Sequence, residues 1–367
     1  MILCANPRAQ YLAHKSEIDA AIQRVLEGGR YVLGPEVTTF EAEFAGYIGV
    51  AHGIGVANGT DAIAIALKAL GIGPGDEVIT TAHTAVATVA AIELAGATPV
   101  FADIDPTFYT LDPGLVERAI SPRTKAIIPV HLYGQPADIP SFVSLAKQYG
   151  LRLIEDCAQC HGARYAGKRL GSFGDVACFS SYPTKNLGAL GDAGAIVTND
   201  AELANRCRLI REYGWAERYV SHLAGQNSRL DELQAAVLRV KLTALDSDNA
   251  RRGDIADQYD RALAGTGLVL PARRENSSHV FHLYVLRSQR RDALIEQLRG
   301  QGVGALIHYP VPVHRQKAYA GRVRGGESLP ETERAATEVL SLPMYPELSK
   351  AEVEQVVASV QRFTESS

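Results

Sequence analysis

The sequence lacks several features that would assign it to a special class of protein. Its formal net charge is only -4, so no excess of basic residues indicates a nucleic-acid partner. Its most apolar long stretch, residues 82–97, is interrupted by His83 and Glu93, which argues against a membrane span. The N-terminus lacks the charged start and apolar core of a signal peptide, and the five cysteines form no small disulfide framework. We therefore expect a cytoplasmic protein with reduced thiols.

Short β-rich runs alternate with helical patterns through the first two thirds of the 367 residues. Several runs are apolar without polar alternation, which indicates strands buried on both faces of a sheet. The predicted strands cover residues 78–80, 99–102, 126–130, 151–154, 176–179 and 195–198, and the predicted helices cover residues 62–70, 84–95 and 139–149. This alternation predicts an α/β fold with a largely parallel sheet between helices.

The order of elements changes after a long helix that we predict from residue 230 to about residue 245, with Leu238 and Leu245 in its apolar stripe. The elements predicted downstream are helices at 251–263, 292–299 and 351–363 and strands at 280–286 and 303–307. This arrangement predicts a large domain over residues 1–245 and a smaller α+β domain over residues 246–367.

Two residues, Asp156 and Lys185, have the spacing and surroundings of a pyridoxal phosphate (PLP) site. Asp156 ends an apolar strand, and Lys185 follows 29 positions later in a turn rich in serine and glycine. PLP enzymes need a lysine for a Schiff base and an acid that keeps the pyridine nitrogen protonated. Taken alone, the same two residues are equally consistent with a structural acid and a surface lysine.

The segment Asn58-Gly59-Thr60-Asp61 precedes a helical run and predicts a tight turn followed by a helix start. The free N–H groups and the dipole of such a helix start bind phosphate, and the hydroxyl of Ser180 is a further candidate donor. The alternative is an ordinary helix start that Thr60 or Asp61 caps.

Three further motifs contain histidine or cysteine. Residues 157–161 form a literal C-x-x-C-H, the pattern of haem c attachment, but they directly follow a buried strand, which favours buried structural thiols over haem or zinc. His83 begins an apolar helix, where it suits either stacking on a flat cofactor or a hydrogen bond in the core. Residues 308–314 form a proline-rich loop with two histidines and a tyrosine, which suits either a structural turn or a ligand contact, and nothing in its spacing indicates a metal.

As an ordered set, these motifs resemble one family, the DegT-type sugar aminotransferases. The matching segments are residues 31–36, 58–62, 131–135, 155–163, 182–189, 225–231 and 308–312, which run nearly from end to end of the chain. The resemblance implies the aspartate aminotransferase fold, PLP fold type I, with a mixed, mostly parallel sheet in the large domain and an α+β C-terminal domain. It also implies PLP as the cofactor.

The resemblance assigns roles to individual residues. Lys185 is implied to be the Schiff-base lysine and proton shuttle, and Asn227 to reach the phosphate of a neighbouring subunit in a homodimer with shared active sites. The other cofactor residues that it implies are Asp156 at the pyridine nitrogen, Gln159 at the ring hydroxyl, His83 on the ring face, and Gly59, Thr60, Asp61 and Ser180 at the phosphate. The substrate residues that it implies are Tyr31, Tyr182, Arg218, His308 and Tyr309.

The resemblance also implies a reaction, in which L-glutamate gives its amino group to a nucleotide-linked keto sugar. Family members with histidine in place of Lys185 act as dehydratases, so the lysine favours transamination. Residues 82–84 and 131–134 look most like members that aminate C3 of a dTDP-linked 3-keto-6-deoxyhexose and yield a dTDP-3-amino-3,6-dideoxyhexose. The alternatives are a 4-aminotransferase, an aminotransferase of a UDP-linked 3-keto sugar, and a non-catalytic PLP-binding regulator.

Overall fold

A seven-stranded sheet forms the centre of the structure, a computed structural model that describes residues 1–365. The strands in chain order are β1 (His52–Val56), β2 (Glu77–Thr81), β3 (Thr98–Ala102), β4 (Thr124–Ile127), β5 (Arg152–Asp156), β6 (Arg164–Tyr165), β7 (Lys168–Arg169), β8 (Val176–Ser180), β9 (Gly194–Thr198), β10 (Trp215–Glu217), β11 (Val220–Ser221), β12 (Tyr284–Arg287) and β13 (Val339–Leu342). The central sheet has the order β1-β9-β8-β5-β4-β2-β3.

The central sheet is mixed and mostly parallel, as predicted. Strands β8, β5, β4, β2 and β3 pair in parallel, whereas β9 pairs antiparallel with both β8 and β1. In the pair of β5 and β8, Asp156 lies opposite Cys178, so both strands end on the same edge of the sheet. That edge receives the polar residues that follow these strands.

Helices cover both faces of this sheet. The helices in chain order are α1 (Pro7–Ala13), α2 (Lys15–Gly28), α3 (Pro35–Ile48), α4 (Gly59–Ala69), α5 (Val86–Leu94), α6 (Pro113–Ala119), α7 (Ile139–Tyr149), α8 (Ala201–Arg211), α9 (Glu232–Leu263), α10 (Arg291–Gly300), α11 (Pro330–Glu338) and α12 (Lys350–Glu365). One face packs against α4, α5 and α8, with Ile154 and Val176 in that core. The other face packs against α3, α6, α7 and the first half of α9, with Leu153 and Phe179 in that core.

Local signals explain why some predicted bounds agree with the structure. Helix α7 spans the predicted residues, because Asp138 accepts hydrogen bonds at its start and Gly150 ends it in the left-handed conformation. The predicted strands at 78–80, 99–102, 151–154, 176–179 and 195–198 each coincide with a strand, whereas the strand predicted at 126–130 ends at Ile127.

The C-terminal part has its own apolar core, built from α9, α10, α12, β12 and β13. Helix α9 runs unbroken for 32 residues, so the helices predicted at 230–245 and 251–263 are one element. The boundary predicted at residues 245/246 therefore falls inside α9, and we keep the two-domain division as a proposal in which both domains share this helix. Residues 303–307 form isolated bridges with Ile2 and Ser341 instead of the predicted strand.

None of the helices in residues 1–365 combines the length and apolar character that crossing a bilayer requires.

Candidate active site

Asp156 is the last residue of β5 and lies at the carboxyl edge of the sheet, where only 3% of its surface is exposed. Its Oδ2 accepts a hydrogen bond of 2.8 Å from Thr88 Oγ1, and its Oδ1 accepts one of 3.1 Å from the amide of Ala158. Burial raises the pKa of Asp156, although these two donors act in the opposite direction. A carboxylate has about four acceptor positions, so Asp156 retains capacity for a cationic N–H donor, which would offset the cost of burial.

Lys185 lies in the loop that follows β8, with its amide bonded to the carbonyl of Tyr182 at 2.8 Å. Burial lowers the pKa of Lys185 to about 8, and the charge of Asp156 acts in the opposite direction. Within residues 1–365, no group accepts a hydrogen bond from its Nζ. With this pKa, roughly a tenth of the Lys185 amine is neutral at pH 7, far more than for an ordinary lysine, and this fraction is available as a nucleophile.

The start of α4 lies against the end of β8. Asn58 caps the helix, because its Oδ1 accepts a hydrogen bond of 2.8 Å from the amide of Asp61. The amides of Gly59 and Thr60 have no partner in the described part of the chain. A side chain at Gly59 would place its Cβ 2.5 Å from Cβ of Ser180, so only glycine allows this approach. The predicted phosphate donors Gly59, Thr60 and Ser180 thus lie together, whereas the Asp61 amide is already used by the cap.

His83 is held by Tyr133 in a single tautomer. Its Nε2 lies 2.8 Å from the hydroxyl of Tyr133, which also bonds to the backbone carbonyl of His308. That carbonyl can only accept a hydrogen bond, so Tyr133 donates its one hydroxyl proton to it. His83 Nε2 must therefore carry a proton and donate it to the oxygen of Tyr133. Burial lowers the pKa of His83 to about 4, so the ring is neutral, and its Nδ1 is buried without a partner among the described residues.

Gln159 is fixed by the same tyrosine. Its Oε1 accepts a hydrogen bond of 2.7 Å from the amide of Tyr133, and its Nε2 donates one of 3.0 Å to the hydroxyl of Tyr309. An amide group has two N–H donors, so one donor of Gln159 remains for a further partner. The predicted residues Gln159, His83, His308 and Tyr309 are therefore linked around one residue, Tyr133.

The other predicted residues lie on the surface of the chain. Tyr182 is 53% exposed, and Tyr31 is exposed to a similar extent. Arg218 stacks over the ring of Tyr219 next to the β10–β11 hairpin, and Asn227 pairs with Glu212. Apart from the bond between the Tyr182 carbonyl and the Lys185 amide, none of these four forms a hydrogen bond or ring contact with Asp156 or Lys185 in the described residues.

The buried thiols behind Asp156 lie near a histidine. Ligand atoms of His131, Cys157 and Cys160 lie within 4.8 Å of one another. However, His131 Nδ1 accepts a hydrogen bond of 3.0 Å from the amide of Ala137, and its Nε2 faces Glu155 at 3.2 Å, so its one lone pair is already used. Burial raises the pKa of both thiols, which disfavours the thiolate that binds metal. This geometry favours the interpretation of Cys157 and Cys160 as structural residues.

Two residues of the site were missed by the sequence analysis, Thr88 and Tyr133. Thr88 looks like any polar residue in a helix, and nothing local indicates that it contacts Asp156. Tyr133 lies inside a segment that carries the resemblance, and its φ of 62° is unusual for a residue with a side chain. A prediction of positive φ at this position would have been the available signal.

The described residues fit PLP. The unpartnered amine of Lys185, the spare acceptor capacity of Asp156 and the unpartnered Nδ1 of His83 are all features that a bound polar ring would satisfy. The glycine-dependent contact between α4 and Ser180 leaves two unpartnered amides at a helix start, which is suitable for a phosphate group.

Comparison with known proteins also indicates an aminotransferase. A model of the DegT/DnrJ/EryC1/StrS aminotransferase family matches residues 13–361. A dTDP-3-amino-3,6-dideoxy-α-D-galactopyranose transaminase of Aneurinibacillus thermoaerophilus is 50% identical over 99% of this chain and 99% of its own. A UDP-N-acetyl-3-dehydro-α-D-glucosamine 3-aminotransferase of Acidithiobacillus ferrooxidans is 46% identical over 97% of this chain and 96% of its own.

Solved structures agree with the fold. The crystal structure of DesV from S. venezuelae, in complex with a ketimine intermediate, has a TM-score of 0.97, is 49% identical, and the match covers 99% of this chain and 98% of DesV. NtdA from Bacillus subtilis, with the bound cofactor PMP, has a TM-score of 0.89, is 34% identical, and the match covers 96% of this chain and 82% of NtdA. The expected type I fold is confirmed.

Proposed function

This chain belongs to the DegT/DnrJ/EryC1/StrS aminotransferase family, and we propose that it aminates C3 of a dTDP-linked 3-keto-6-deoxyhexose. As a member of that family it is a PLP-dependent sugar aminotransferase. The relative from A. thermoaerophilus, which is named for a dTDP-3-amino-3,6-dideoxy sugar, supports the choice of carbon and nucleotide. We propose L-glutamate as the amino donor and a homodimer in which Asn227 of each subunit reaches the site of its partner.

The observation that carries the proposal is the relation between Lys185 and Asp156. Lys185 has an unpartnered amine with its pKa lowered to about 8, and the buried carboxylate of Asp156 is close enough to act on that pKa. This pair provides a nucleophilic amine and an anion that retains an acceptor position, which are the two groups that PLP requires from a protein.

When bound, PLP supplies an electron sink for the carbanion that forms when a proton leaves the substrate. Lys185 is the amine that would hold the cofactor and, once free, the base whose Nζ takes the α-proton of glutamate and returns a proton to the sugar carbon. Asp156 would hold a proton on the ring nitrogen. Gln159 and the neutral His83, both buried, would orient the ring.

The substrate is tested by a transamination screen with dTDP-3-keto, dTDP-4-keto and UDP-3-keto sugars, read by mass spectrometry, with Lys185→Ala as the matched inactive control. We expect turnover of glutamate to 2-oxoglutarate with the dTDP-3-keto sugar. Turnover only with a 4-keto sugar would overturn the assignment of C3. PLP binding without turnover of any sugar would instead favour a non-catalytic regulator.

A second candidate is amination of a UDP-linked 3-keto sugar, because the relative from A. ferrooxidans is named for such a substrate. The same screen distinguishes the two candidates. A preference for the UDP-linked 3-keto sugar over its dTDP-linked counterpart would replace the first proposal while leaving the reaction type unchanged.

A further inference from the structure

Lys241, in α9, is a buried lysine outside the candidate cofactor site. Burial lowers its pKa to about 8, so its amine is still mostly protonated at pH 7. Only 2% of its surface is exposed. Its Nζ donates a hydrogen bond of 2.7 Å to the carbonyl of Gly188 and one of 2.9 Å to Oε1 of Gln10. Burying a lysine costs free energy, because its amine loses its hydration. The two hydrogen bonds offset part of this cost, and they show what the buried amine holds in place.

Both acceptors of Lys241 belong to or contact the loop that carries Lys185. We define this loop as residues 183–188 and call it the lysine loop. Gly188 is its last residue. Gln10, held by Lys241, donates from its Nε2 to the carbonyl of Asn186 at 3.3 Å. Lys241 and Gln10 together therefore bind the carbonyls of residues 186 and 188, immediately after Lys185.

The lysine loop is a tight turn whose two ends lie close together. A Cβ at Gly188 would lie 2.5 Å from the carbonyl oxygen of Pro183, so the two ends of the loop are in close contact. The side chain of Asn186 donates to Asn249 Oδ1 at 2.7 Å and to the carbonyl of Val280 at 2.9 Å. The backbone carbonyls on the C-terminal side of Lys185 are held by Lys241 and Gln10, whereas the side chain of Asn186 is held by α9 and residue 280.

A charged donor makes a stronger hydrogen bond to a carbonyl than a neutral donor does. Each acceptor of Lys241 is either in the lysine loop or on a residue that binds it. Its charge therefore acts on this loop, directly through Gly188 and indirectly through Gln10 of α1.

We propose that Lys241 is a positioning residue for Lys185. It holds the backbone carbonyl of residue 188 directly and that of residue 186 through Gln10. The amine of Lys185 is then presented towards Asp156 without reorganisation of the loop. This inference rests on the proposed function of Lys185 as the residue that binds PLP.

The test compares the affinities for PLP and pyridoxamine phosphate (PMP), because PLP bonds covalently to Lys185 and PMP does not. In Lys241→Met, which keeps an unbranched side chain one atom shorter and removes its charge, we expect the dissociation constant of PLP to rise at least about tenfold. The dissociation constant of PMP should stay the same. Arg291→Met is the matched control, because Arg291 also donates to a backbone carbonyl, that of Ala336, but contacts no part of the lysine loop in the described residues.

Other outcomes separate the possible failures. Equal loss of PLP and PMP affinity would show that Lys241 has only a general structural role, and unchanged affinities would show that it has none; either would overturn the inference. If wild-type protein bound neither compound, the proposed function itself would fail. If Lys241→Met did not fold, Gln10→Leu would test the inference instead. This variant removes the hydrogen bonds of Gln10 to Lys241 and to the carbonyl of Asn186, so it should weaken the binding of PLP but not that of PMP.

Discussion

A β-carbon on Gly59 would lie 2.5 Å from Cβ of Ser180. This contact brings the start of α4 to the end of β8, where two unpartnered amides and a hydroxyl meet. The candidate phosphate site therefore depends on the absence of a side chain at one position.

Gly59→Ala should weaken PLP binding about tenfold or more, because the added methyl group forces α4 and β8 apart at a cost of about 1–3 kcal/mol. The measurement is a PLP titration followed by absorbance, with urea unfolding as a second readout. Gly46→Ala is the control: this glycine lies in α3 with no atom within 4 Å of an added Cβ, so the change should be neutral or stabilising. Equal PLP affinity in both variants would contradict this view of the site.

In protein without PLP, acetylation of Lys185 should reach half its maximal rate near pH 8. Burial lowers the pKa of Lys185 to about 8, and only the neutral amine reacts, so the rate rises as the pH passes through this value. Peptide mass spectrometry after brief labelling measures each lysine separately, with surface lysines as internal reference at an ordinary pKa of about 10.4. A midpoint of Lys185 that coincides with the surface lysines would refute the predicted environment.

Asp156→Asn should stabilise the PLP-free protein at pH 7 and reduce aminotransferase activity by at least about 100-fold. Burial raises the folded-state pKa of Asp156, so the folded wild type holds this proton more tightly than the unfolded chain does. Its stability therefore falls as the pH rises from the unfolded value of about 3.9 towards the folded value. Urea unfolding at several pH values should show the advantage of Asp156→Asn growing over that range and staying constant above it. A variant less stable than wild type at pH 7 would contradict the prediction.

Tyr133→Phe should destabilise the protein by about 1–3 kcal/mol, because it leaves the N–H of His83 and the carbonyl of His308 without their shared partner. Thermal or urea unfolding measures the loss. Tyr149→Phe is the matched control, since the hydroxyl of Tyr149 bonds to Glu117 on the surface and its removal should cost no more than about 0.5 kcal/mol. A similar loss of stability in both variants would contradict the conclusion that the hydroxyl of Tyr133 joins His83 and His308.

Elements with local signals were predictable from the sequence. Helix α7 has a capping aspartate before it and a glycine after it, and β3 and β8 are short, largely apolar runs. Strand β1 was not predicted, because its segment, His52–Val56, contains two glycines and has little strand propensity. Helix α9 was predicted as two helices, because the polar residues at 246–249 resemble a connection, although neither glycine nor proline interrupts the helix there.

The main functional groups of the candidate site could be identified from the amino-acid sequence alone. Asp156 at the end of an apolar run, Lys185 in a tight loop and Gly59 before a helix were identifiable because each depends on neighbours within a few positions. Their order along the chain was sufficient to identify the family.

How these groups contact one another depends on the three-dimensional fold. The contact of Thr88 with Asp156 joins residues 68 positions apart, that of Tyr133 with His308 joins residues 175 positions apart, and that of Lys241 with Gln10 spans 231 positions. No local pattern encodes such pairs, because they form only when parallel strands bring their carboxyl ends to one edge and α9 packs beneath them. The tautomer of His83 and the support of the lysine loop are therefore properties of the fold, although every residue involved is visible in the sequence.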